Sequence, residues 1–115
     1  MQSSNKRYDI KACLKDIEQA IIEINDFLPV ERDFFAFQKD LKTRKAIERN
    51  IEIIGEALDR ILKTDPTFPI SDSRKIVDTR NRIIHGYDSV SEDIIWLIVN
   101  KNLPVLERQI RELLK

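Results

Sequence analysis

Reactive side chains are concentrated in one octet, RNRIIHGY at positions 80–87, which holds the one histidine of the chain, His85, one of two glycines, Gly86, and one of two tyrosines, Tyr87. Arg80 and Arg82 stand just before them. Together these side chains could receive a phosphate; a metal-free cut of RNA, one chemistry they would suit, needs a base for the 2′-hydroxyl proton, an acid for the leaving 5′-oxygen and positive donors on the crowded phosphate. An imidazole, with an ordinary pKa near 6.5, suits either proton-transfer role, and the planar fork of an arginine suits the phosphate. His85 and Arg80 are therefore candidate catalytic side chains. Asn81, four positions before His85 and on the same helical face, is a third, able to orient the imidazole or to donate to the phosphate. Arg80 lies five positions from His85, about 140° around a helix. The plainer alternative is an ordinary helix stop, arginine and histidine in the last turn followed by glycine.

Helices must hold this set. Two glycines, four prolines, a charged fraction of 35% and apolar residues three and four apart point to helix throughout. Ile10, Leu14, Ile17, Ile21 and Ile24 predict a first long helix from about Asn5 or Lys6 to Phe27, closed off by Pro29. Residues 31–40, ERDFFAFQKD, place Phe34, Phe35 and Phe37 in a short helical turn or the start of the next helix, plugging one end of a bundle. Stacking on bases is the alternative, but no basic residue is interleaved among the rings. Ala46, Ile47, Ile51, Ile54, Leu58, Ile61 and Leu62 predict a second long helix from Leu41 to Leu62. Asn50 sits close to its apolar face, either at the boundary facing water or bonded across an interface.

After the loop TDPTFPISDS, a helix starting near Asp72 or Ser73 offers Ile76, Val77, Ile83 and Ile84 to the core. It turns Arg80 and its neighbours elsewhere and stops at Gly86. Ser91 caps a final helix that runs to about Leu114 through Ile94, Ile95, Ile98, Leu106, Ile110 and Leu113. Pro104 should kink it, and Trp96 is a core or interface anchor. The sum is an all-α fold, an antiparallel up-and-down four-helix bundle with a short extra helical segment, in one domain over residues 1–115.

Twenty basic and twenty acidic residues cancel, so the chain as a whole is no polyanion-binding surface. Any nucleic-acid contact must come from a local patch, for which Arg82, Arg74 and Lys75 beside Arg80 are the expected phosphate contacts, with steep salt dependence. One cysteine and one histidine exclude an internal disulfide and any plausible set of zinc ligands, so no metal and no cofactor is expected. Cys13 reads as a small apolar filler. The N-terminal MQSSNKRYDIK lacks a signal-type apolar core, and no apolar run approaches the roughly eighteen residues of a membrane span. A cytoplasmic location is expected.

The octet resembles the signature of the HEPN superfamily, in the Arg-Asn-x-x-x-His-x-Tyr form of its HepT-like branch, with Arg80, Asn81, His85 and Tyr87 all in place. The likeness extends to RKAIERNIEIIGEA (44–57) and from SRKIVDTRNRIIHGY to DIIWLIVNKNLPVL (73–106), most of a short chain. It draws in Asn50, Gly55 and Glu56 as family-like positions near the motif, with no chemistry assigned to them. The resemblance implies a helical bundle and a metal-independent endoribonuclease whose paired motifs line a dimer cleft. In the HepT-like branch this enzyme is the toxin of a toxin–antitoxin pair. The antitoxin, an MntA-like minimal nucleotidyltransferase, silences it by AMPylation of the motif tyrosine, here Tyr87.

Elementary chemistry also asks for a dimer. One histidine per chain cannot be base and acid in a single concerted passage, whereas a two-fold axis near the motif helix brings two copies of Arg80 and His85 into one cleft. A reading of another class uses the same side chains: a non-catalytic helical module that binds a nucleotide or the nucleotidyltransferase. A purely structural helical dimer is the third, favoured if Arg80 and His85 are buried in separate places.

Overall fold

A computed structural model describes residues 8–71, 73–85 and 91–115. It contains α1 (Ile10–Phe27), α2 (Phe34–Lys39), α3 (Leu41–Thr64), α4 (Ser73–Ile84), α5 (Glu92–Leu97) and α6 (Leu103–Leu113), with a π-helical turn at Ile98–Asn102 joining the last two. No strand occurs among the described residues. The architecture is the expected all-α antiparallel bundle, with α2 as the extra segment. Helix α3 is central: α1 packs along it, α4 packs along it too, and α6 touches α1.

The expected apolar stripes make the core. Ile17, Ile21 and Ile24 of α1 face Ile47, Ile51, Ile54, Leu58 and Ile61 of α3, all 1% exposed or less. Each such side chain contributes about 1.5–3 kcal/mol of burial. Cys13 is buried among them, and burial raises its thiol pKa, as expected of a filler.

Several boundaries differ from expectation, each for a local reason. Helix α1 begins at Ile10 rather than near Lys6, because the Asp9 carboxylate accepts from the Ala12 N–H and caps it there. Tyr8 precedes the helix, its N–H donating to Thr64 Oγ1 at 3.2 Å. Helix α3 runs two residues past Leu62, to Thr64. Only Asp40 separates α2 from α3, closing one and capping the other. Its carboxylate accepts from Thr43 N and Oγ1 at 3.1 and 2.6 Å, and these bonds hold its pKa below the usual carboxylate value.

The aromatic end forms as expected for two of its three phenylalanines. Phe34 and Phe37 pack on Trp96, at centroid distances of 5.8 and 4.9 Å, whereas Phe35 is 70% exposed. Ser91 caps α5 as expected. The strain at Pro104 appears one turn earlier, as the π-helical turn. Proline has no N–H for the carbonyl four residues back, so the ladder is broken there, and the wider turn takes up the slack, Leu103 N–H reaching back to Ile98 O.

Candidate active site

Helix α4 carries the motif. Its core set is narrower than the sequence suggested: Ser73, Ile76, Val77 and Thr79 are buried, and Ile83 packs partly against the core. Ile84, expected inside, is 47% exposed. Arg80, expected to face away, lies against α3. The reason is spacing: Arg80 is one turn beyond Ile76 and shares its face, so the helix that covers Ile76 also meets Arg80.

At that meeting point α3 has Gly55. A Cβ there would collide with Arg80 Cβ and stand 2.8 Å from Arg80 Cγ and 3.4 Å from the Ile76 carbonyl oxygen. The glycine lets the two backbones approach closely. The next residue, Glu56, pairs through Oε2 with Arg80 Nη2, while Arg80 Nη1 donates to Asn81 Oδ1 at 2.8 Å. Glu56 Oε1 also lies 3.3 Å from Nε of Arg60, whose guanidinium sits 5.3 Å above the Tyr8 ring. The Arg80 side chain is 19% exposed. A groove of about 320 Å³ opens beside it, with Arg49, Arg60, Asp16 and Glu52 on its rim and Ile53, Ala57 and Ile84 as apolar lining.

The histidine stands apart from this groove. His85 is the first residue past α4; its N–H still donates to the Asn81 carbonyl at 3.1 Å and its side chain is exposed. Counting 100° per residue, Arg74, Asn81 and His85 follow one stripe, with Lys75 and Arg82 beside it. Arg74, Lys75 and Arg82 are exposed and Asn81 is half-exposed. One chain therefore gathers Asn81, His85 and the three phosphate candidates on the outer side of α4, and turns Arg80 toward α3. Asn81 links the two sides. Tyr87 and Gly86 lie outside the described residues.

The family-like positions divide. Glu56 and Gly55 belong to the motif's surroundings; Asn50 does not. Asn50 is buried, donating from Nδ2 to the Ala20 carbonyl at 3.1 Å and to Glu23 Oε1 at 3.0 Å, which is the cross-interface alternative. The pairing of Glu56 with Arg80 is not legible in the spacing of the sequence. The available signal was Gly55: a glycine inside a long helix costs about 1 kcal/mol against alanine and asks for a packing reason. Among the described residues no group of histidine, cysteine and carboxylate side chains is arranged to hold a metal, and no helix is long and apolar enough to cross a membrane.

Fold and site define a class: a helical bundle whose motif helix presents an arginine to its neighbour and ends on an exposed histidine. Residues 17–113 match the family described as "Ribonuclease HepT-like". The chain is similar to "Probable ribonuclease HepT" of Thermococcus cleftensis, 34% identical over 119 aligned positions covering 100% of both chains. It is also similar to "Putative RNase MJ0127" of Methanocaldococcus jannaschii, 33% identical over 111 positions, 93% of this chain and 88% of that one. A third relative, "Putative RNase TTE0752" of Caldanaerobacter subterraneus, is 36% identical over 86 positions, 71% of this chain and 74% of its own. No solved structure matches significantly. The chain belongs to the HepT-like ribonuclease family, the branch of the HEPN superfamily that its octet resembles.

Proposed function

We propose that the protein is a metal-independent endoribonuclease that acts as a homodimer, with Arg80 and His85 of two copies lining one cleft. The observation that carries this reading is the division within one chain: His85 is exposed at the end of α4, while Arg80 is fixed in a groove on the other side. One chain offers a single imidazole. A second copy meeting this one at the C-terminal end of α4, where Ile84 lines the Arg80 groove and His85 follows it, supplies the other, so that one His85 takes the 2′-hydroxyl proton and its mate protonates the leaving 5′-oxygen. Arg80 stabilises charge on the phosphate, Asn81 orients His85 or shares the phosphate, and Arg74, Lys75 and Arg82 hold the flanking strand. The named ribonucleases among its relatives support RNA as the substrate class.

In the same proposal the enzyme is the toxin of a toxin–antitoxin pair. A minimal nucleotidyltransferase partner silences it: the Tyr87 oxygen attacks the α-phosphate of ATP, pyrophosphate leaves, and AMP remains as a negatively charged phosphodiester two residues from His85. That charge repels the RNA phosphate.

The test is incubation with mixed RNA in EDTA, wild type beside His85→Ala and Arg80→Ala, with fragment ends read for 2′,3′-cyclic phosphate. Wild type should cut and both variants should be inactive while remaining dimers; full activity in His85→Ala removes the proposal. With the partner enzyme and labelled ATP, Tyr87→Phe should lose AMP incorporation, and undiminished labelling would move the modification elsewhere. The binding-module alternative uses the same side chains. The charge of Arg80 is already matched by Glu56, a resting arrangement that suits holding a phosphate as well as cutting beside one. Saturable RNA or nucleotide binding without turnover is the result that would establish it.

A further inference from the structure

Glu56 lies 24 residues from Arg80 in sequence, on another helix, yet it is the acidic partner of the motif arginine. Its two oxygens are divided, Oε2 to Arg80 Nη2 and Oε1 toward Arg60 Nε. Asn81 Oδ1 takes a donor from Nη1, at the other end of the fork. A guanidinium has five N–H donors, so two such bonds fix its plane and leave others for a ligand. Close packing reinforces them, because Gly55 lets the Arg80 stem lie against the α3 backbone. The Glu56 side chain is 38% exposed and Arg80 is 19% exposed, so the carboxylate sits at the rim and the arginine beneath it.

Resting on the ribonuclease reading above, we propose that Glu56 is a positioning residue for that reaction: its carboxylate fixes the Arg80 fork so that the remaining N–H donors meet the RNA phosphate without reorganisation. Preorganised donors matter most where charge develops, and misplacing a catalytic group by an ångström costs on the order of 100-fold in rate. The opposite arrangement, in which Glu56 competes with the phosphate for Arg80, predicts the opposite sign. The two are separated by experiment.

Glu56→Gln keeps the size of the side chain at a half-exposed site and removes the charge. In steady-state cleavage of an RNA oligonucleotide in EDTA, it should lower kcat by roughly 10- to 100-fold without raising KM. Glu56→Asp, with the charge on a shorter arm, should fall between. Unchanged kcat would make Glu56 merely structural, and increased kcat would make it a competitor. A second readout needs no turnover. The Arg80 guanidinium 15N resonances should show hindered Cζ–Nη rotation in wild type and averaged rotation in Glu56→Gln. Equal rotation in both overturns the positioning role even if wild type proves not to cut RNA, an outcome that would by itself count against the ribonuclease reading alone.

Discussion

At the scale of single residues, the polar groups buried between helices are the ones whose chemistry the surroundings dictate. Asn50 shows this most directly, since its amide donates to α1 at two places while the residue is 5% exposed. Truncating it leaves buried groups short of a partner, at a cost of about 1–3 kcal/mol. Asn50→Ala should therefore lower the stability measured by urea denaturation by that amount. Asn50→Asp should cost more at neutral pH, because the new carboxylate would face the Ala20 carbonyl and the Glu23 carboxylate with no proton to give. Part of that extra loss should return in mildly acidic buffer. Variants as stable as wild type would mean that the Asn50 amide is solvated.

At the scale of elements, the contact of α3 with α4 sets the geometry of the motif. An alanine inside a helix is normally favoured over glycine by about 1 kcal/mol, so Gly55→Ala would stabilise α3 in isolation. In the folded chain its methyl group meets the Arg80 stem and approaches the Ile76 carbonyl, and such overpacking costs about 1–3 kcal/mol. The expected outcome is a lowered Tm together with reduced RNA cleavage, as the helices part at the point where Arg80 is held. A raised Tm with full activity would show that α4 can shift without consequence. The other end of α4 is less constrained by packing. Ile84 is exposed beside the groove, and His85, the proposed catalytic histidine, follows it at the end of the helix.

At the scale of the whole molecule, the proposed dimer carries a quantitative consequence. If each cleft needs His85 from both copies, a mixed dimer of wild type with His85→Ala is inactive. Cleavage by randomly exchanged mixtures should then fall as the square of the wild-type fraction, measured after co-refolding of tagged and untagged chains. A linear decrease would assign each chain its own complete site. The chain has no net charge, so its overall field gives little help in attracting RNA, and the proposed RNA contact rests on the local set Arg74, Lys75 and Arg82 on α4.

The periodic apolar residues determined by themselves that this chain is helical, because a repeat of three and four can bury one face only as a helix. Local signals also gave the caps at Ser91 and the start of α4 near Ser73, since capping is settled within a few residues of chain. Candidate chemistry was legible too, because rare residue types gather in one octet. Which way those side chains point was decided by tertiary structure. A helical stripe tells which residues are apolar, but not which neighbour covers the flank beside them. Arg80 proved to lie on that flank, one turn beyond Ile76, where Gly55 makes room and Glu56 supplies a charge from a distant part of the sequence. Ile84 is left exposed at the edge of the groove that α3 lines. Local sequence could name the arginine and the histidine and set them about 140° apart; only the packing of α4 on α3 could show that Arg80 is the one turned toward a neighbouring helix.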